Sequence, residues 1–422
     1  MSRLCISGPC RLSGELQVHG AKNSALPLLA ASLLCTAPCR LTNCPHLSDV
    51  DTAVSILQQL GCRASFQDGT AEVDPTTADA CAIPDALMRE MRSSIIFLGA
   101  IIGRTGEASM SFPGGCELGP RPIDLHLQAL RRLGAQIRED HGRLTCVAPG
   151  GLHGANITLA FPSVGATENV LIAASTAQGT TVLENAAREP EIEDLAGFLN
   201  ACGARIAGAG GSTVCISGVP SLSGCAYRVI PDRIAGATYL AAAAATGSPL
   251  VLRGVVPRHL GPVLPVFEEA GCAFRVAGDT LEIHPPKRLN RVHSVRTMPY
   301  PGFPTDAQAP VMAMTTVARG TSIFIENIFE ERYKHVGELL RMGANIRVDG
   351  RVAVVEGVPQ LSGALVEAGD LRGGAALVVA GLAAQGRTVV DGVHHIDRGY
   401  EHIERALCAL GAQVERLPDS EG

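Results

Sequence analysis

Cys116 and Arg121 stand five residues apart in Pro113-Gly114-Gly115-Cys116-Glu117-Leu118-Gly119-Pro120-Arg121-Pro122-Ile123-Asp124-Leu125-His126. A cationic neighbour favours a thiolate or a reactive thiol. Three glycines and three prolines in those fourteen residues exclude a helix or a central strand. A mobile reactive lid over an anion site is expected; the alternative is a surface loop in which Cys116 is one of 14 cysteines. Further polar residues stand where apolar helices should begin: Lys22-Asn23-Ser24, Arg92-Ser93-Ser94, Ser163-Val164-Gly165, Asp232-Arg233, Thr305-Asp306 and Asp370-Leu371-Arg372. Capping explains Ser163 and Asp232. The charges of Lys22 and Arg92 oppose the helix dipole, which points to a ligand anion. Pro299-Tyr300-Pro301-Gly302-Phe303-Pro304 reads as a rigid turn delivering Asp306 to a helix start, as proton acceptor or as plain N-cap. Arg398 precedes the final helix, as anion ligand or in a surface ion pair with Asp397 or Glu401.

The elements that position these residues repeat. Gly61, Gly134, Gly203, Gly271, Gly343 and Gly411 each follow an amphipathic stretch, at intervals of 68 to 73 residues. The amphipathic stretches are 50–60, 124–133, 191–201, 263–270, 333–342 and 402–410, with the glycine as C-terminal stop. Upstream of each runs a more apolar helix, over 25–34, 94–103, 166–179, 234–247, 307–320 and 373–386, buried on all sides. Alternating segments such as 345–348 and 352–356 read as hairpins. Six copies of helix, strand, helix, strand, strand are predicted. Three buried parallel helices wrapped by outer sheets make one domain, so the fold expected is α/β with two inside-out barrels. Residues 1–21 resemble the joining pieces near 216–224 and 355–363, so the domains expected are 22–230 and 1–21 plus 231–422. With parallel inner helices, the two barrels would face across a cleft lined by helix N-termini, closing on an anion.

A chain of 422 residues, 46% hydrophobic and 18% charged, suits two domains. The net charge of −6 argues against nucleic acid or an anionic membrane as partner. No charged segment followed by an apolar core opens the chain and no apolar run reaches a membrane span, so a cytoplasmic protein is expected. Cysteines in apolar surroundings suit a reducing compartment. Cys35, Cys39, Cys44 and His46 lack the Cys-x-x-Cys knuckle, and no metal and no organic cofactor are expected.

Gly20-Ala21-Lys22-Asn23-Ser24-Ala25-Leu26-Pro27, the Pro113–His126 loop, Pro162-Ser163-Val164-Gly165-Ala166-Thr167-Glu168-Asn169, Glu184-Asn185-Ala186-Ala187-Arg188-Glu189-Pro190-Glu191, Phe303-Pro304-Thr305-Asp306 and His395-Ile396-Asp397-Arg398-Gly399-Tyr400 carry a resemblance. The sequence resembles the UDP-N-acetylglucosamine 1-carboxyvinyltransferase family of enolpyruvyl transferases from residue 1 to about 417. The resemblance implies the enolpyruvyl transferase fold and transfer of an enolpyruvyl group from phosphoenolpyruvate to UDP-N-acetylglucosamine, in peptidoglycan precursor synthesis. It assigns Lys22, Arg121 and Arg398 to phosphoenolpyruvate, with Asn23 beside it, and makes Cys116 the loop thiol that protonates the enol methylene. Arg92, Arg121, Pro122, Ile123, Asp124, Leu125, Ser163, Val164, Gly165, Asp306 and Ile328 would hold the UDP-sugar, with Asp306 as base near its 3-hydroxyl. Arg332, Asp370 and Arg372 would line or close the cleft. Ile96 and Phe161 depart from the family pattern, which has an aromatic and a lysine there in some members. Cys116 implies sensitivity to fosfomycin as covalent inhibitor. Two alternatives stay open, a 5-enolpyruvylshikimate-3-phosphate synthase-like transferase and a catalytically silent UDP-sugar-binding paralogue.

Overall fold

Each of the six repeat glycines turns the chain out of a helix with φ between +87° and +100°, a region that L side chains enter only under strain. The hydrogen bonding is the same at all six. The glycine N–H bonds a carbonyl three residues back and the next N–H bonds one five back, as in Gly61 to Gln58 and Cys62 to Leu57, both at 3.0 Å. The helices so ended are Ser48–Gln59, Asp124–Arg132, Pro190–Ala201, Leu264–Glu269, Val336–Arg341 and Ile403–Ala409. This computed structural model describes residues 2–112 and 123–418.

The six apolar helices are Lys22–Ser32, Phe97–Thr105, Val164–Ala174, Arg233–Ala245, Thr305–Thr315 and Leu371–Ala383. Five start earlier than the apolar runs suggest, so Lys22, Asn23, Thr305, Asp306 and Arg372 lie inside the first turn while Ser163, Asp232 and Asp370 cap it. They also stop short of their expected ends. After Ser32, for example, Leu33, Leu34 and Cys35 bond carbonyls three residues back, a tighter winding than the α-helix. The second is preceded by a 3-10 turn, Arg92–Ile96, and by a helix, Asp85–Glu90. That helix and another, Val393–Asp397, were not expected from sequence.

Among the described residues six sheets lie around these helices, five of four strands and one of three. Each four-stranded sheet pairs one three-residue strand in parallel with a longer strand, then runs antiparallel, as in Ser294–Arg296 beside Thr321–Ile325, Val352–Glu356 and Asn345–Asp349. The short parallel strands were not foreseen, since three residues are too few for a period-2 pattern. They close each set of three repeats. Ala226–Arg228, at the end of the third repeat, pairs with Cys39–Thr42 of the first. Glu15–Gln17 pairs with Leu250–Arg253, and Arg3–Gly8 completes the sixth sheet between Gly386–Asp391 and Val414–Leu417.

The described residues form two compact units, 20–112 with 123–230, and 2–19 with 231–418. Each has its own apolar core, built by three inner helices against the inward faces of its sheets. Both are inside-out α/β barrels.

Candidate functional site

In the unit of residues 20–230, Lys22 opens the first inner helix and is only 8% exposed. Its Nζ lies 2.8 Å from Asp49 Oδ2, on the first turn of helix Ser48–Gln59. The conflict between Lys22 and its helix dipole is therefore met from inside the protein by Asp49, which the sequence reading did not identify. Asn23 is half-buried beside it. Ser24 Oγ donates to Asp194, whose carboxylate also accepts from Tyr227 OH at 3.0 Å. Burial pushes the Asp194 carboxyl up, against those hydrogen bonds.

Ser163 caps the third inner helix, its Oγ accepting from Ala166 N at 3.3 Å. The N–H groups of Val164 and Gly165 have no acceptor within their own helix, so this half-buried turn presents donors to an anion. His126 lies directly beneath. A Cβ on Gly165 would sit 2.9 Å from the His126 ring, so only glycine fits over it. Asn169 fixes that ring by donating to His126 Nδ1 at 2.7 Å and to Ile95 O at 3.0 Å, while accepting from Gly99 N at 2.8 Å. Burial pulls the His126 imidazole down to about 4, so it is neutral and its Nδ1 is free to accept. Ile123, Asp124 and Leu125 lead into the helix carrying His126, with Asp124 exposed and the other two half-buried. The Asn169 network thus ties helix Asp124–Arg132, the 3-10 turn that starts at Arg92 and the Ser163 turn into one frame. Glu168, next to Asn169, is buried, and burial with help from Glu191 and Glu189 pushes its carboxyl up to about 8.

In the unit of residues 2–19 and 231–418, the expected proline turn forms, with Met298 N bonding Phe303 O at 3.0 Å and Gly302 N bonding Pro299 O at 2.8 Å. It delivers Asp306 to the second position of helix Thr305–Thr315, half-buried rather than capping. Asp306 Oδ1 accepts from Arg332 Nη2 at 2.7 Å and Oδ2 from Arg372 Nη2 at 3.2 Å. Those two arginines are only 2% and 3% exposed. Asp370 caps its own helix by accepting from Arg372 N and Gly373 N, both at 2.9 Å. Arg372 Nη1 also donates to Tyr400 OH at 3.1 Å, and Tyr400 OH lies 2.7 Å from Thr238 Oγ1. The starts of two inner helices thus meet around Asp306, where two buried cations face one carboxylate.

Glu326 is the residue sequence reasoning missed here. It is 1% exposed and accepts from Thr297 Oγ1, Thr305 Oγ1, Ile328 N and Phe329 N at 2.8–3.0 Å. One carboxylate therefore holds the half-buried Ile328 and the start of the Asp306 helix together. Its signal was a lone acid ending the alternating strand Thr321–Ile325. Arg398 follows helix Val393–Asp397 and is half-buried. Of the two acids weighed for an ion pair with it, Asp397 is held by Arg416 at 2.7 and 2.9 Å.

Cys116, Arg121 and Pro122 lie outside the described residues, as does the reactive-loop reading built on them. Arg92 is described only as the start of its 3-10 turn. Cys44 donates to Leu41 O at 3.7 Å and His46 stacks on Phe66, so neither joins Cys35 and Cys39. Those two instead meet Cys202, a thiol cluster the sequence reading did not find. Among the described residues no helix is long and apolar enough to cross a membrane.

A family model described as EPSP synthase (3-phosphoshikimate 1-carboxyvinyltransferase) matches residues 6–407. The chain is 50% identical over 417 residues to UDP-N-acetylglucosamine 1-carboxyvinyltransferase 2 of Caldanaerobacter subterraneus subsp. tengcongensis, covering 99% of this chain and 100% of that one. It is 48% identical over 419 residues to UDP-N-acetylglucosamine 1-carboxyvinyltransferase of Saccharophagus degradans, with the same coverage. Among solved structures, the enolpyruvyl transferase NikO from Streptomyces tendae superposes with a TM-score of 0.90 at 28% identity, over 99% of this chain and 100% of that one. EPSP synthase from Acinetobacter baumannii gives 0.75 at 19% identity with the same coverage, a likeness of fold alone.

Proposed function

The chain belongs to the EPSP synthase family of carboxyvinyltransferases, and within it we propose the sugar-nucleotide branch, acting at the 3-hydroxyl of UDP-N-acetylglucosamine. It transfers the enolpyruvyl group of phosphoenolpyruvate to UDP-N-acetylglucosamine and releases phosphate, the step that commits the sugar nucleotide to peptidoglycan. The observation that carries this is identity near 50% along the whole chain to UDP-N-acetylglucosamine 1-carboxyvinyltransferases. The reaction belongs in the cytoplasm, where both substrates are made.

Addition precedes elimination. A proton delivered to C3 of phosphoenolpyruvate makes C2 electrophilic, and the sugar hydroxyl attacks it to give a tetrahedral phosphate ketal. Loss of phosphate and of a C3 proton then leaves the enol ether. Lys22, Arg121 and Arg398 hold the phosphate and carboxylate, with Asn23 beside them, and Cys116 supplies the C3 proton. Asp306 takes the hydroxyl proton, steered by Arg332 and Arg372 on its two oxygens. Two guanidinium groups for one carboxylate leave a surplus positive charge suited to the substrate phosphates. Asp370 holds the helix start that carries Arg372. The diphosphate of the sugar nucleotide lies on the donors of Ser163, Val164 and Gly165 and against Arg92, with Arg121, Pro122, Ile123, Asp124 and Leu125 along the nucleotide and Ile328 near the sugar. General acid–base catalysis contributes about 10²–10⁴ in rate, and fixed charge and positioning supply the rest.

The test is phosphate release from phosphoenolpyruvate. It requires UDP-N-acetylglucosamine and falls to background in Cys116→Ala at neutral pH, while Cys116→Asp keeps turnover and escapes covalent inhibition by fosfomycin. Release that depends on shikimate 3-phosphate instead, or no release from any acceptor, overturns the reading.

A further inference from the structure

A group of thiols lies at the seam where the third repeat of the 20–230 unit closes on the first. Cys35 follows the end of the first inner helix, Cys39 begins strand Cys39–Thr42, and Cys202 ends helix Pro190–Ala201. Their three sulfurs all lie within 4.8 Å of one another, and the residues are 0%, 1% and 1% exposed. Cys225 immediately precedes the closing strand Ala226–Arg228, its Sγ 3.3 Å from that of Cys202. Its backbone carbonyl accepts from Arg40 N at 2.9 Å, which fixes it beside Cys39. The approach depends on Gly224, where a Cβ would sit 2.0 Å from Pro38 O.

Cys44, elsewhere in this core, gives its S–H to the Leu41 carbonyl. The clustered sulfurs turn toward each other instead, Cys202 giving its S–H to Cys225 Sγ at 3.3 Å. Among the described residues no other group of three His, Cys, Asp or Glu donors comes so close together. Four sulfurs about 2.3 Å from a tetrahedral zinc ion stand roughly 3.8 Å apart, against no more than 4.8 Å among Cys35, Cys39 and Cys202 and 3.3 Å between Cys202 and Cys225. Cys39 and Cys225 also line an open cavity of about 810 Å³ whose wall includes Arg40 and Arg63. An ion can arrive from solvent on that side, where Glu72 and Asp74 pair with the two arginines.

We propose that Cys35, Cys39, Cys202 and Cys225 form a tetrathiolate site for a thiophilic d¹⁰ cation, zinc being the divalent ion it suits. Cys35, Cys39 and Cys202 are the fixed ligands and Cys225 closes the site from the cavity side. Each thiol gives its proton to solvent as its sulfur binds the metal, so loading is tighter at higher pH. The ion ties together the end of an inner helix, the first strand of its sheet, an outer helix and the strand that closes the barrel. Its role is structural, because it sits beyond the C-terminal end of the inner helix whose first turn carries Lys22.

The test uses the full chain, purified reduced and stripped with a chelator, then titrated with Co²⁺ and with Zn²⁺. One Co²⁺ binds per chain, with thiolate-to-cobalt charge-transfer absorption and the visible bands of tetrahedral cobalt, and Zn²⁺ displaces it. Native mass spectrometry shows one zinc, the thermal midpoint rises by several degrees on loading, and both effects vanish in Cys39→Ser and Cys202→Ser. Cys62→Ser, a thiol on the same cavity wall outside the cluster, binds as the parent does, and Cys225→Ser binds at least tenfold more weakly. A readout free of variants is alkylation of the half-buried Cys225, slowed at least tenfold by Zn²⁺. The proposal falls if the reduced, folded chain binds no stoichiometric metal, if the Cys39→Ser/Cys202→Ser double variant binds equally well, or if the isolated protein carries a Cys202–Cys225 disulfide in place of metal.

Discussion

Replacing Asp306 by asparagine removes one negative charge from between two buried guanidinium groups. The Asp306 carboxylate meets Arg332 at 2.7 Å and Arg372 at 3.2 Å, and those arginine side chains are 2% and 3% exposed. A pair of unit charges about 4 Å apart at an effective dielectric near 20 is worth about 4 kcal/mol, most of it offset by desolvation. What is lost when one partner is removed is the compensation of a charge that stays buried, about 3–5 kcal/mol. The Asp306 side chain is itself 29% exposed, and the asparagine oxygen can still accept from one guanidinium. The lower end, about 3 kcal/mol, is therefore expected. With a urea slope on the order of 3 kcal/mol per molar, the unfolding midpoint falls by about 1 M, followed by far-UV circular dichroism because the chain has no tryptophan. Arg332→Met in the same background removes the stranded cation and restores more than half of the loss, a coupling that a double-mutant cycle measures. Turnover behaves differently. Asp306→Asn lowers phosphate release by about 10²–10⁴, and the second substitution recovers none of it. A single variant within about 0.5 kcal/mol of the parent, or a double variant that regains activity, refutes the reasoning.

Burial pushes the Glu168 carboxyl from an ordinary 4.5 to about 8, so folding favours its protonated form. That stability is fully present below about pH 4.5 and is lost as pH rises toward 8, on the order of 3 kcal/mol by pH 7. Glu168→Gln should abolish this slope, read from urea midpoints at pH 5 and pH 8, and an unchanged slope would show that Glu168 does not cause it. Asn169→Ala removes three buried hydrogen bonds and should cost about 3 kcal/mol, raising KM for UDP-N-acetylglucosamine more than it lowers kcat. Equal effects on both constants would count against a positioning role. Gly343→Ala has open space around its Cβ but a φ of +87°, so backbone strain alone should cost about 1–2 kcal/mol, and a neutral urea midpoint would contradict that.

What the amino-acid order makes legible is whatever one element decides by itself. The six stop glycines could be read because a helix followed by a left-handed residue needs glycine there, and the helices came out at every predicted repeat. Lys22, Ser163, Asp306 and Arg372 were legible because polar residues at the head of an apolar run contradict the run. Their partners were not. Asp49 meets Lys22 from a second helix, Glu326 holds a turn from the far end of a strand, and Cys202 reaches Cys35 across more than 160 residues. Periodicity within an element carries no information about such meetings, and three-residue strands such as Ala226–Arg228 leave too little pattern to detect.

Two prolines show how far local logic extends into the candidate site. Pro27 and Pro310 lie inside inner helices, where a proline withholds the N–H due to the carbonyl four residues earlier and pushes that carbonyl outward. Those carbonyls belong to Asn23 and Asp306. In repeats one and five the carbonyl left without its helical N–H is thus that of a residue assigned to substrate, and each helix nevertheless runs on unbroken through its proline. A repeat that buries its helices on every side leaves their N-terminal turns as the places where backbone donors, carbonyls and charged side chains can face a ligand.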